Sequence, residues 1–341
     1  LPWPELSSYP SYGMARARTS FDHLLLEHAR AAGAKVLEGT NVTGPVVDER
    51  TGRVVGVTAR PAGARGRGVE PTTYRAPVVV AADGVSSRLA TAVGREKRDD
   101  RPMGVAVRTY FRTPRHDDAW MESHLELWDG EPGRSNLMPG YGWIFALGDG
   151  TANVGLGSVS STAHATKVDY KDLFERWMAH APAEWEFTPD NQVGPVRGAA
   201  LPMGFNRKPL YARGLLLVGD AGGMVSPFNG EGIAYAMQAG RVAAQAIADA
   251  RVRSSAVSRE RALLTYSRRM REDIGGYYTL GRTFVKLIEN PQVMRICTKY
   301  GLPRPLVMKF TLRLLSDCYE PSGGDMVDRV IAGLTKIVPA A

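Results

Sequence analysis

Apolar and polar positions change their rhythm along the chain, and each rhythm predicts a different kind of element. Residues 1–13 carry Pro2, Pro4, Pro10 and Gly13 and read as loop. Thr19-Ser20-Phe21-Asp22 has the form of a helix start, and the helix SFDHLLLEHARAA runs on to Gly33. AKVLEGTNVTGPVVDERTGRVVGVTAR predicts strands joined at Thr51-Gly52. APVVVAADGVSSRLA predicts a strand buried on both faces, the turn Asp83-Gly84 and a short helix carrying Arg88. From about Val105 to Val159 the pattern alternates and is rich in Trp, Tyr and Phe, which predicts an antiparallel sheet. DYKDLFERWMAHAP predicts an amphipathic helix.

A different pattern begins at GLLLVGDAGGMVSPFNGEGIAYA. Leu215 to Val218 form an apolar run without alternation, as in a strand of a parallel sheet covered on both sides. Gly219 and Asp220 stand at its carboxyl end, the edge where open α/β sheets bind ligands. Gly-Asp alone is an ordinary strand-to-helix turn. Five glycines between Gly219 and Gly232 ask for more than that. A long Ala- and Gly-rich helix follows from about Gly230, and its amino end carries partial positive charge. The remainder reads as mostly helical. AGARGRG is a basic loop and not a nucleotide fingerprint, because it neither follows a buried strand nor opens a helix.

Composition narrows the class. The 341 residues, 44% hydrophobic and 23% charged, suit a globular chain of two domains or one large domain with an inserted sheet. No apolar run reaches the roughly 18 residues of a membrane-spanning helix. Cys297 and Cys318 have no metal or redox spacing and fit a reducing cytoplasm. The six histidines form no ligand cluster, so no metal is expected. The net charge of +8 is uneven: residues 251–341 hold 16 Lys and Arg against 8 Asp and Glu, whereas residues 1–250 balance at 27 each. Aromatic-and-basic stacking modules are missing, which argues against nucleic acid. An anionic membrane surface at the cytoplasmic face is the sharper expectation, against a solvated helical face. LPRPLVMKFTLRLL sets Lys309 and Arg313 four apart among Leu306, Val307, Phe310, Leu312 and Leu314, the pattern of an interfacial helix.

These motifs resemble a known family. GDAGGMVSPFNGEGIAYAMQAG resembles the second flavin-binding motif of flavoproteins with the para-hydroxybenzoate-hydroxylase fold, AADGVSSRL their middle Asp-Gly motif, and RARTSFDHLL the preceding Arg-x-x-Phe-Asp element. PGYGWIFALGDGTANVGLG is similar to the Tyr-x-Trp-x-Phe-Pro element of the geranylgeranyl reductase branch, and the tail from Tyr300 is similar to actinobacterial menaquinone-reductase members. Two departures stand out. Ala146 replaces the family's Pro, and no Gly-x-Gly-x-x-Gly strand–helix unit is found, so the chain is expected to begin after that unit.

The resemblance implies a mixed α/β fold: an FAD-binding parallel-sheet domain truncated at its amino end, an inserted antiparallel substrate-domain sheet and a helical carboxyl-terminal region. The expected divisions are 1–100 and 196–265 for the FAD-binding parts, 101–195 for the inserted sheet and 266–341 for the helical region. It implies FAD as cofactor, with Arg18, Asp83, Gly219, Asp220, Gly222, Gly223, Pro227, Gly230, Glu231, Gly232 and Ile233 around it. Asp220 would bond the ribityl or phosphate side, the glycines would admit the cofactor to the backbone, and Asp83 would brace the fold. Tyr141, Trp143 and Phe145 share one strand face and would form either a dry aromatic wall for an alkene or an ordinary sheet core. The implied activity is reduction of isoprenoid double bonds on a polyprenyl lipid, with NAD(P)H or ferredoxin as electron donor. The proton donor is unassigned, a Tyr or a bound water. Alternatives are an aromatic monooxygenase of the same superfamily and, from another class, a flavin-free remnant or peripheral lipid-binding protein.

Overall fold

The computed structural model describes residues 1–64, 70–159 and 168–340; most of AGARGRG lies outside them. After the opening loop come α1 (Arg18–Ala31), then β1 (Thr40–Asp48), β2 (Arg53–Pro61) and β3 (Thr72–Arg75), which pair in that order as an antiparallel sheet. The expected hairpin at Thr51-Gly52 is present: the Asp48 carboxylate accepts from the Thr51 amide (2.8 Å) and hydroxyl (2.7 Å), an Asx-type turn.

β4 (Val79–Ala81) pairs in parallel with β11 (Leu215–Leu217), and β10 (Tyr211–Ala212) closes the other side of β11 antiparallel. Leu215, Leu216 and Leu217 are wholly buried, as a central strand requires. β4 corrects an expectation. It is an edge strand among the described residues, and Val80 is 40% exposed, so it is not covered on both faces. Side-chain alternation sends Ala81 inward and Val80 outward. Between them α2 (Arg88–Ala92) is capped by Ser87, which accepts from the Ala90 amide.

The inserted sheet has strand order β6-β7-β8-β5-β9, all antiparallel: β5 (Met103–Arg112), β6 (Met121–His124), β7 (Gly140–Ala146), β8 (Thr151–Val159) and β9 (Gln192–Pro202). Ala146 continues β7, opposite Ala152. One face of this sheet buries Val107, Phe111, Ile144, Ala152, Val154 and Leu156 against α3 (Tyr170–Met178). Asp169 caps α3 by accepting from the Lys171 and Asp172 amides.

The largest core joins α4 (Ile233–Arg251), α5 (Ala256–Ile288), α7 (Pro305–Ser316) and α8 (Met326–Ile337), with α6 (Pro291–Ile296) between α5 and α7. Ala239, Ala243, Ala246 and Ala250 form a buried stripe on α4. Their small side chains let α4 lie close to α5. β9 and α5 run across the divisions expected at 195/196 and 265/266.

The interfacial pattern read into α7 also needs correction. Arg313 is 5% exposed and its guanidinium bonds Asp325 (2.8 Å) and Asp328 (2.6 Å), while Lys309 pairs with Asp325 (2.9 Å). Leu314 is buried and Phe310 packs on the core. A buried guanidinium needs paired carboxylates, and α8 supplies them through its own amino-terminal capping box of Asp325 and Asp328. These two cations therefore tie α7 to α8 and do not form a lipid-facing stripe.

Candidate functional site

The carboxyl end of β11 leads into a single helical turn, Gly219–Gly222, and then a tight loop up to α4. Segment 202–206 straps this loop in place: the Val225 amide donates to Pro202 (3.2 Å), Gly204 to Val225 (3.1 Å) and Phe205 to Gly223 (2.8 Å). From behind, α5 holds it with two tyrosines. The Tyr266 hydroxyl donates to the Leu217 carbonyl (2.7 Å) and Tyr278 to the Met224 carbonyl (2.9 Å). A Cβ on Gly281 of α5 would stand 3.0 Å from both Pro227 and the Phe228 ring, so glycine there lets the helix press directly on the loop. Sequence reasoning missed Tyr266, Tyr278 and Gly281. Nothing in the helical pattern of α5 says which neighbour it meets.

The loop closes on itself between Ser226 and Glu231. The Ser226 amide donates to the Glu231 carbonyl (2.7 Å), Gly230 to the Ser226 carbonyl (3.0 Å), and Glu231 to the Asn229 side chain (2.9 Å). Helix α4 starts at Ile233, so Gly230, Glu231 and Gly232 form the turn before it. Gly219, Gly223 and Gly230 have φ of 57°, 69° and 75°, the left-handed region that favours glycine. At Gly222 and Gly223 the missing side chains also make room for the chain itself: a Cβ would meet Met224 at 2.8 Å and the Asn206 backbone at 2.3 Å, respectively.

Asp220 is the polar group left over. No described residue donates a hydrogen bond to its carboxylate; burial raises its pKa, and Arg18 acts in the opposite direction. An acceptor with free lone pairs at a strand end suits hydroxyl donors of a ribityl chain. The residues present therefore fit the flavin side of FAD. Arg18 stands within electrostatic reach of Asp220 but spends its guanidinium on Asp22, at 2.8 and 2.9 Å. Asp83 lies on the neighbouring turn, accepting from the Ser87 hydroxyl (2.7 Å) and the Leu89 amide (3.2 Å), which braces the start of α2.

The antiparallel sheet meets this loop with the face opposite its core. Tyr141, Trp143 and Phe145 all lie on that face, with ring centroids 5.9 and 6.4 Å apart in succession. They are absent from the core cluster to which Ile144 belongs. Trp143 lies flat across β8: a Cβ on Gly155 would stand 2.4 Å from the indole, and the indole N–H donates to Asn153 (2.8 Å). Period-two register puts Asn153, Gly155 and Gly157 of β8 and Arg108 and Tyr110 of β5 on the same face. Arg108 stacks over Tyr110 at 4.9 Å. These residues were legible from alternation in β5 and β8, once the strand pairing was known.

Two hydroxyls join this face to the loop and its surroundings. Tyr141 donates to the Asn229 carbonyl (2.7 Å), and the Tyr110 hydroxyl accepts from the Arg18 amide (3.4 Å). Burial, then the nearby Glu231, pushes the Tyr141 phenol up to about 12, which keeps it a neutral donor. Behind the turn, Tyr235 in the first turn of α4 donates to Asp317 (3.1 Å). Burial lifts the Asp317 carboxyl to about 7 against that hydrogen bond, and Glu231 adds to the rise. Asp317 carried no motif in the sequence.

Residues 5–274 match the family model described as FAD binding domain. A menaquinone reductase of Mycobacterium tuberculosis is 31% identical over 331 residues, covering 97% of this chain and 75% of that protein. A digeranylgeranylglycerophospholipid reductase of Methanocella arvoryzae is 32% identical over 274 residues, covering 77% of this chain and 61% of that protein. Among solved structures, a geranylgeranyl bacteriochlorophyll reductase-like protein from Thermoplasma acidophilum has a TM-score of 0.63 at 22% identity, covering 87% of this chain and 75% of that one. The chain belongs to the FAD binding domain family, in its branch of menaquinone reductases and geranylgeranyl-reductase-like proteins.

Proposed function

We propose that this protein is an FAD-dependent reductase of isoprenoid C=C bonds, acting on a polyprenyl lipid such as the side chain of a menaquinone. The observation that carries the reading is the hydrogen bond from Tyr141 to Asn229, which joins the aromatic face to the flavin-type loop. Bound, reduced FAD supplies the hydride. Asp220 would accept hydrogen bonds from hydroxyls of the ribityl chain, and the loop at Gly230, Glu231 and Gly232 with Ile233 and Pro227 would border the ring. Tyr141, Trp143 and Phe145 exclude water and lay π-faces against an alkene, where developing positive charge is best tolerated. The electron donor is a soluble reductant, NAD(P)H or ferredoxin.

Attachment to an anionic membrane belongs to this reading, but at a different surface from α7's cations. Leu287, Ile296, Tyr300, Leu302, Leu306 and Val307 are exposed. Between residues 286 and 307 lie Lys286, Arg295, Lys299 and Arg304 against a single acidic residue, Glu289. Among the described residues no helix is long and apolar enough to cross a membrane. Apolar burial with about 1 kcal/mol per basic residue suits a peripheral contact. Co-sedimentation with anionic vesicles should fall with salt and with Leu306→Asp; equal recovery with neutral vesicles would remove this part of the reading.

The test of the activity is mass. Under anaerobic reducing conditions a polyprenyl substrate should gain two mass units, and Asp220→Ala should release flavin before it alters the fold. A gain of sixteen with oxygen would point to the monooxygenase alternative. A colourless preparation that takes up no flavin would point to the remnant.

A further inference from the structure

Away from the aromatic face, a cavity of about 330 Å³ opens between Phe205, Lys208, Pro209, Leu210, Ser267 and Arg271. The surroundings of Lys208 are strongly cationic. Burial and the guanidinium groups of Arg101, Arg98, Arg271 and Arg282 all press its ammonium toward losing its proton. One carboxylate enters this cluster, Asp100, and it is already engaged by Arg98 (2.8 and 2.7 Å) and Arg101 (2.7 Å). The two acids that follow Arg271 turn elsewhere: Glu272 pairs with Arg268 at 3.7 Å and Asp273 accepts from Gln238 at 3.4 Å.

Part of this charge has no partner. Arg282 Nη1 and Arg101 Nε are buried without a hydrogen bond among the described residues, although Arg282 Nη2 reaches Thr279 at 3.0 Å. Donor N–H groups of buried guanidinium carry a full desolvation cost when left unmet. The Arg282 stem lies 3.2 Å from where a Cβ on Gly204 would stand, so the cluster borders the strap that holds the flavin-type loop. The Ser267 hydroxyl accepts from the Tyr211 amide (3.1 Å), which leaves its own proton free to donate.

Lys208 and Arg271 on the cavity wall, beside a Ser267 hydroxyl free to donate and with three further guanidinium groups within electrostatic reach of Lys208, match the chemistry of a multiply charged phosphate anion. We propose that this cavity binds the diphosphate of a reduced nicotinamide dinucleotide, with Lys208, Arg271 and Ser267 of its wall as the contacting groups. The assignment rests on the reductase reading, since it names the class of electron donor. A phosphate could also come from a lipid headgroup, and the test separates the two.

Inorganic pyrophosphate is the first probe, followed by calorimetry on the purified chain at low salt. Binding should weaken at least tenfold in Lys208→Gln and in Arg271→Glu; Arg271 is exposed, so its substitution leaves the fold intact, with thermal melting as the check. NADPH should displace pyrophosphate, while a short-chain phosphatidate should not. Binding unchanged in both variants, or none at millimolar pyrophosphate, overturns the site. Displacement by phosphatidate without NADPH overturns the donor. None of these readings needs turnover, so loss of the reductase reading would show separately, as a polyprenyl substrate that gains no mass.

Discussion

The two faces of the five-stranded sheet are built from alternate residues of the same strands, yet they differ in kind. On one face, Ile144, Val154 and Leu156 are fully buried against α3 in a hydrocarbon core. On the other, Tyr141, Trp143 and Phe145 are only half-buried, and two of the three spend a polar atom on a defined partner. Gly142 and Gly155 mark the contrast. A Cβ at Gly142 would strike Trp177 on the core side at 2.3 Å, and one at Gly155 would strike Trp143 on the other at 2.4 Å. Each face thus seats one indole on a glycine, but only the Trp143 side turns toward the flavin-type loop. A core face asks for volume; the opposite face asks for aromatic shape and placed hydrogen bonds.

That contrast predicts a separation of stability from function. Leu156→Ala on the core face should cost about 2–5 kcal/mol of stability, read by denaturant unfolding, with activity falling only as the protein unfolds. Trp143→Ala should do the reverse. Turnover should drop about tenfold or more while flavin stays bound and the melting temperature moves by a few degrees. Equal losses of stability and activity in Trp143→Ala would break the comparison and make the aromatic face a second core.

A finer test concerns the loop that the aromatic face holds. Asp317 backs it through Tyr235, and its folded-state pKa of about 7 lies above the unfolded value of about 4. The native state therefore keeps a proton that the unfolded chain has released. Stabilisation from this group is full below about pH 4 and is lost as pH rises through about 7. Asp317→Asn should flatten that fall in melting temperature and exceed the parent protein above pH 7; parallel curves would show that Asp317 is not the group. The smallest effect is expected from Tyr141→Phe. Loss of its bond to Asn229 should cost about 0.5–1.5 kcal/mol and raise the flavin dissociation rate, read by fluorescence of released flavin.

Much of this site was readable in the chain because it rests on local rules. Alternation alone assigned Tyr141, Trp143 and Phe145 to one face, since side chains on a strand repeat every second residue. Apolar continuity marked Leu215 to Val218 as a buried strand, and positive φ explains why glycine recurs at 219, 223 and 230. The failures have an equally plain cause. The run at 78–81 looked doubly buried, but which strand ends a sheet is a matter of pairing, and β4 has β11 on one side only among the described residues. Lys309 and Arg313 looked like a basic stripe, because helical spacing says which residues share a face and not what that face meets.

The sequence by itself determined the periodic elements, the glycine-rich turn and the family, all of which depend on residues near one another in the chain. Tertiary structure alone decided which sheet face meets the loop, that α5 backs it through Tyr266, Tyr278 and Gly281, and that Arg313 is sealed between two carboxylates. It also brought Lys208 and Arg271, from distant segments, onto the wall of one cavity, with Arg98, Arg101 and Arg282 within electrostatic reach of Lys208. Such contacts are set by which surfaces the whole chain can bury together, and no local pattern encodes that choice.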